Sequence, residues 1–250
     1  MLTAERRQAI LDRLTNDGKV VASELVLSLG VSEDTVRRDL KELDSQGLLR
    51  RVHGGALPPP PIVNPRFVER RKVDPAGKAA IGAAAAGLVK SGDVVLMSGG
   101  TTVLEFARRL PDDLQATVLT TGPDIALALV NHPVLEVVVV GGRLEPDTHT
   151  VVGPEALDAV RGVRADLCVL GVCSLHPEAG LTQLDREESL VERAMIASSA
   201  RVATLTGADK LGFAGPWPVA RTDEIDMLVT DAGPEVTAPY AALGLEVVRA

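Results

Sequence analysis

Between Ser32 and His53 the chain carries polar and cationic side chains spaced to meet a nucleic acid: Ser32, Asp34, Thr35, Arg37, Arg38 and Lys41, then Arg50, Arg51 and His53. On a helix turning about 100° per residue, Asp34, Arg37, Arg38 and Lys41 share one arc, opposite Val36, Leu40 and Leu43. Such an arc suits a major groove, where guanidinium groups pair with guanine edges or phosphates and short polar groups approach other base edges. A helix with outward arginines is by itself equally a solvated face. The order of features around it points to duplex DNA: capped helix, glycine turn, second capped helix, basic hairpin.

A second set of small and polar residues follows predicted strands. Ser98-Gly99-Gly100-Thr101-Thr102 leaves one strand and opens a helix, where small residues let backbone amides approach a ligand and a helix start favours an anion such as phosphate. Thr120 and Thr121 follow a second strand, and Gly141 and Gly142 a third. Lys210 lies in the loop after a fifth, where it fits either a ligand contact or a solvated turn lysine. Together these loops predict a small-molecule pocket, although each is also compatible with plain turn chemistry.

Other chemistries lack their residues. His53, His132, His149 and His176 are scattered and form no i,i+4 pair or cysteine-histidine cluster, so no metal site is expected. No GxxxxGK[ST] loop is present, no cofactor is indicated, and no catalytic residue is assigned. Glu187, Glu188 and Glu192 open a predicted helix, where acids commonly serve the dipole and solvent. Cys168 sits in a predicted buried strand as a small hydrophobe, and Cys173 in the loop beyond it.

The elements that must hold these groups are legible in the apolar spacing. Thr3 is placed to cap a helix running to about Asn16, with Arg7, Ile10, Leu11 and Leu14 along one face and Asp17-Gly18 closing it. A helix over 23–29 buries Leu25 and Leu29, Gly30 makes the turn, and Val31 fills the corner. Ser32 caps the next helix, from Glu33 to about Gln46, which Gly47 ends. Residues 48–52 read as a strand pair, or wing, with Arg50, Arg51 and His53 at its tip.

Pro58-Pro59-Pro60-Pro61 marks a semi-rigid spacer. The expected domains are therefore 1–57, a linker over 58–63, and 64–250. Beyond the linker, strands are expected at 94–97, 117–120, 137–140, 167–170, 202–205, 227–230 and 246–248. Helices are expected at 77–90, 102–110, 123–131, 155–160 and 187–198. Near-continuous apolar strands between helices predict an α/β fold with a mostly parallel sheet covered on both faces.

Composition agrees with this division. In residues 1–57 nine Lys/Arg balance nine Asp/Glu, so the net charge of −8 resides in the remainder, and DNA affinity must come from local clustering. Aromatic residues are only 2 % and none falls in 1–57, which argues against a base-stacking platform for single strands. No run of eighteen apolar residues or secretory signal is visible, and two cysteines suit a reducing cytosol, so a cytoplasmic protein without membrane contact is expected.

VSEDTVRRDLKELDSQGLLRRVHGGA, preceded by ERRQAILDRLTNDGKVVASELVLSLG, closely resembles the N-terminal signature of the deoxyribose-operon repressor (DeoR) family of bacterial transcription regulators. The resemblance implies a winged helix-turn-helix whose second helix reads operator DNA, commonly as a homodimer or homotetramer on repeated half-sites. The rest of the chain resembles the family's effector-sensing domain, related in fold to ribose-5-phosphate isomerase and the coenzyme A transferases. It implies a sugar phosphate cradled by Ser98–Thr102 with Lys210 in contact, in a repressor of a carbohydrate operon. The chain departs from the family pattern at Ser98, Thr121, Glu192 and Gly207, where Asp, Asn, Lys and Asp are usual, and this alters the charge and donors of the pocket. The alternative is a sugar-phosphate isomerase or acyl-transfer enzyme carrying a DNA-binding appendage.

Overall fold

The structure is a computed structural model that describes residues 2–45, 48–52, 54–57 and 65–250, with the side chains of Thr15 and Ser45 left undescribed. Gly47, His53 and the proline spacer over 58–63 lie outside the described residues. The chain divides into two compact units, a smaller N-terminal one and a larger C-terminal one.

In the first unit, α1 (Thr3–Asp17), β1 (Val20–Val21), α2 (Ala22–Leu29) and α3 (Glu33–Ser45) precede β2 (Arg50–Val52) and β3 (Gly55–Leu57). Thr3 is helical and does not cap α1. The first turn is closed by Glu5, which accepts from the Leu2 amide at 3.0 Å. The periodic residues converge as their spacing requires. Ile10 and Leu14 of α1, Leu25 of α2, and Val36, Leu40 and Leu43 of α3 form one buried core with Val20, Leu49 and Ala56. Each fully buried leucine contributes roughly 2 kcal/mol relative to exposure.

The wing is a three-stranded antiparallel sheet in the order β1-β3-β2, so Val20–Val21 supplies a strand that the apolar pattern had not marked. Residue 55 must be glycine: a Cβ there would lie 2.0 Å from the Val20 carbonyl oxygen.

The second unit runs α4 (Phe67–Arg70), α5 (Pro75–Ala85), β4 (Val94–Met97), α6 (Thr101–Ala107), β5 (Thr117–Thr120), α7 (Pro123–Leu129), β6 (Glu136–Val139), β7 (Arg143–Glu145), β8 (Thr150–Val152), α8 (Pro154–Arg161) and β9 (Leu167–Gly171). It continues through β10 (Ser174–His176), β11 (Gly180–Gln183), α9 (Arg186–Ala197), β12 (Val202–Leu205), β13 (Trp217–Ala220), β14 (Met227–Thr230), α10 (Pro234–Ala242) and β15 (Glu246–Arg249). Seven of these strands form one sheet in the order β15-β14-β12-β9-β4-β5-β6, and every pairing in it is parallel.

Strand alternation explains why both faces are covered. Val95, Met97, Leu167, Val169, Ala203 and Leu205 enter one buried cluster, while Leu96, Cys168, Leu170, Val202 and Leu228 enter the other. With period two and apolar residues at both parities, neither face can be left to water. Two small antiparallel assemblies, β7-β8 and β10-β11-β13, are not marked by the apolar pattern. Their strands are only three or four residues long, too short to show a period, and tertiary pairing decides them. Tyr240 of α10 joins the second of them to the main sheet, its buried hydroxyl donating to the Leu175 carbonyl at 2.7 Å.

The strand order reverses about β4: β5 and β6 continue on one side, and β9, β12, β14 and β15 on the other. Loops leaving β4 and β9 at their carboxyl ends therefore part company, and the crevice between them is where open α/β sheets hold ligands.

Candidate nucleic-acid interface and effector cavity

In the first unit, Gly30 takes a left-handed conformation (φ 63°), which turns the chain from α2 into α3. The Ser32 hydroxyl accepts from the Thr35 amide at 3.3 Å and pairs with the Thr35 hydroxyl at 2.9 Å, capping α3 as its sequence position requires. Ser32, Asp34, Arg37, Arg38 and Lys41 are exposed and Thr35 is half-buried. The cations are not equivalent. Arg37 is held by Glu33 one turn earlier at 2.6 Å, whereas Arg38 has no ion pair among the described residues.

Arg50 and Arg51 lie along β2, exposed, instead of at a hairpin tip. The Arg51 amide donates to Asp44 of α3 at 2.9 Å, which fixes the wing strand against the end of that helix.

The sequence reading missed one group that positions this face. Asp39 is 2 % exposed and accepts from Arg6 at 2.5 and 3.2 Å and from Arg7 at 3.2 Å, joining α1 to α3. The Arg6 guanidinium is held above its usual range by that carboxylate. The signal was available: Asp39 falls three residues after Val36 and four before Leu43, inside the buried stripe. An acid at such a position needs a cation from a neighbouring helix. Arg7 at the edge of the α1 stripe, with Arg6 beside it, supplies the pairing.

In the second unit a small cavity, open to solvent, lies at the carboxyl ends of β4, β9 and β12. Gly99, Gly100, Thr101, Thr102 and Lys210 line it, as the loop chemistry suggested. The other named positions stand outside the lining. The Ser98 hydroxyl, buried, donates to the Gly99 carbonyl at 3.1 Å and accepts from the Gly171 amide at 2.9 Å, so it stitches the two loops together. Thr120 accepts from the Gly122 amide at 3.0 Å, and the buried Thr121 hydroxyl has no partner among the described residues. Gly141 and Gly142 follow the edge strand β6. Gly99 has no room for a side chain, since a Cβ would meet the Thr150 hydroxyl at 2.3 Å.

Four charged groups converge on this cavity: Arg70 and Glu188, which were not assigned to it from sequence, join Lys210 and Glu192, the latter a pocket position by the family resemblance. Glu188 and Glu192 are each 5 % exposed, so they do not serve solvent as acids at a helix start commonly do. Thr148 donates its hydroxyl to Glu188, and Gln183 donates to Glu192 Oε1 at 2.8 Å. Arg70 approaches the Thr148 carbonyl at 3.5 Å, and Lys210 Nζ donates to the Val172 carbonyl at 3.1 Å.

Burial pushes Glu188 up, and burial together with the neighbouring Glu188 raises Glu192 well above the usual carboxylate range. Burial, and then the charge of Arg70, lowers Lys210, while burial lowers Arg70. Cys173 lines the same cavity with its thiol pushed up to about 11 by burial, so it is not a reactive thiolate. No group of three His, Cys, Asp or Glu able to hold a metal is found among the described residues. Nor, among them, is any helix long and apolar enough to cross a membrane.

Residues 6–59 match the DeoR-like helix-turn-helix domain, and residues 74–232 match the DeoR C-terminal sensor domain. The chain belongs to the DeoR family. Across 92 % of its length it is 36 % identical to the HTH-type transcriptional regulator GlpR of Haloferax volcanii, covering 91 % of that protein. It is 32 % identical to the HTH-type transcriptional repressor GlcR of Bacillus subtilis over 94 % of this chain and 90 % of that one. Ribose 5-phosphate isomerase A of Methanocaldococcus jannaschii aligns with a TM-score of 0.41 at 15 % identity, over 55 % of each chain.

This DeoR-family chain is a DNA-binding transcription regulator with a C-terminal sensor domain. Its full-length relatives are named as regulators and repressors, which favours that reading over an isomerase or acyl-transfer enzyme with an appended reader.

Proposed function

We propose that the protein represses a carbohydrate-metabolism operon in the cytoplasm. On this reading α3 enters the major groove of operator DNA, and a small phosphorylated metabolite binds in the sensor cavity. The observation that carries the effector assignment is the pair of half-buried cations, Arg70 and Lys210, facing one cavity at the strand-order reversal. Such cations without carboxylate ion pairs favour an entering anion, and charge-assisted hydrogen bonds to phosphate are the strong kind. Ser32, Asp34, Thr35, Arg37, Arg38 and Lys41 contact base edges or the adjoining backbone, and Arg50 and Arg51 of the wing contact phosphates.

Self-association is part of the proposal, because helix-turn-helix readers pair on symmetric half-sites. It is supported by the sheet edge at β6, where Val138 and Val139 are 39 % and 53 % exposed beside Leu127 of α7 and Val130 just after it, at 72 % and 67 %. An apolar edge strand left open to water is a liability that pairing removes.

Polarisation binding to duplexes from upstream of its own gene, with and without a panel of phosphosugars, tests the whole reading. Specific binding that the panel shifts supports it. If no upstream duplex outcompetes random DNA at moderate salt, the regulator mechanism fails, and enzyme-like turnover of the panel would reverse the assignment of the cavity.

A further inference from the structure

Two polar atoms in the sensor cavity have no hydrogen-bond partner among the described residues: Arg70 Nε, a donor, and Glu192 Oε2, an acceptor when ionised. Glu192 is 5 % exposed, and its other oxygen is already held by Gln183 at 2.8 Å. A buried carboxylate oxygen without a donor costs on the order of 1–3 kcal/mol, so its retention in a cavity wall calls for a group that arrives with the ligand.

The surroundings narrow what that group is. Glu188 lies close enough to act on Glu192 by charge, and both carboxyls face the same cavity. A neutral hydroxyl entering there gains one hydrogen bond, whereas a cationic donor is attracted by both carboxylates. A bare metal ion is disfavoured, because Arg70 and Lys210 face the same space and among the described residues no third acidic, histidine or cysteine ligand joins the pair.

We propose that the cavity selects an amino-substituted anionic sugar, its phosphate held by Arg70 and Lys210 and its ammonium group donating to Glu192 Oε2. The inference rests on the reading of this cavity as an anion-binding effector site, and it adds the chemical class of the effector. Gln183 is the positioning residue: by occupying Oε1 it leaves Oε2 to the ligand. The raised proton affinity of Glu192 in the empty site fits, because an entering cation restores the charge that burial and Glu188 suppress.

Calorimetric titration of the full-length protein tests this with matched pairs, glucosamine 6-phosphate against glucose 6-phosphate and galactosamine 6-phosphate against galactose 6-phosphate, and with inorganic phosphate. An ammonium adds to its hydrogen bond a charge attraction that a hydroxyl lacks, so at least one amino sugar is expected to bind roughly tenfold tighter than its hydroxyl counterpart, a difference of about 1.4 kcal/mol. Glu192→Gln is expected to bring that ratio to about one.

Hydroxyl sugars that bind as tightly as their amino partners overturn the inference and leave the anion site standing. So does a preference that survives in Glu192→Gln, and so does binding of inorganic phosphate alone. Absence of all binding, phosphate included, overturns both the inference and the effector-site reading. The wild-type ratio is decisive even where the variant does not fold.

Discussion

Replacing Arg38 with alanine isolates the recognition face from the stability of the unit that carries it. Arg38 is exposed and has no ion pair among the described residues, so its removal costs the folded protein little, within about 0.5 kcal/mol for a surface substitution of this kind. A bidentate contact to a base contributes about 1–3 kcal/mol of discrimination, so Arg38→Ala is expected to reduce operator affinity roughly 5- to 150-fold while non-specific binding changes far less.

The two other cations provide internal comparison. Arg37 must give up Glu33 at 2.6 Å before it can bond to DNA, so Arg37→Ala is expected to cost less than Arg38→Ala. Arg50 on the wing is expected to act through phosphate. Its loss removes about 0.9 from the slope of log affinity against log salt, which between about 50 and 200 mM salt is a factor of roughly 3.5. The assay is fluorescence polarisation on operator and scrambled duplexes across that range, with the melting temperature of each variant recorded. An Arg38→Ala protein that folds and keeps its ratio of operator to scrambled affinity would refute the assignment of α3 as the reader.

Other consequences follow from the same contacts. Gly55→Val places a side chain against the Val20 carbonyl and is expected to separate β1 from β3, lowering wing stability by about 1–3 kcal/mol and weakening DNA binding, as urea unfolding and polarisation would record. Lys210→Met removes a half-buried cation and is expected to weaken phosphosugar binding at least tenfold, the scale of a charge-assisted hydrogen bond, with unchanged affinity counting against the pocket assignment.

Glu192 takes up its proton more readily in the folded state than the ordinary value of 4.5, so the unfolded chain binds fewer protons just above that pH and stability falls as pH rises. The stability of Glu192→Gln relative to wild type is therefore expected to increase from pH 4.5 upward in urea unfolding, a comparison in which the opposing contribution of buried His176 cancels. Lysines at Val138 and Val139 are expected to shift the protein to a smaller assembly in light scattering, and an unchanged mass would clear the β6 edge of a role in self-association.

The amino-acid sequence determined the local decisions by itself. Val36, Leu40 and Leu43 can share a face only on a helix, and Ser32 and Gly30 fix where that helix begins. Near-continuous apolar runs such as Val94–Met97 and Val202–Leu205 are stable only when covered on both sides, which points to a parallel α/β sheet before any contact is known.

Only tertiary structure decided which distant residues meet. Glu188 and Glu192 share one face of α9 by their spacing, but Arg70 of α4 and Lys210 of a later loop are distant in sequence, and nothing in local spacing says that they meet the two acids in one cavity. Strand order does that, by parting the loops at β4 and β9. The same holds for Ser98: its bond to the Gly99 carbonyl is local, as is that of Thr120 to the Gly122 amide, but the Gly171 amide comes within reach of Ser98 only once the sheet is assembled. Periodicity reports which face of an element is buried. Whether a polar group on that face bonds to backbone, a buried partner or a ligand depends on what the fold brings opposite it.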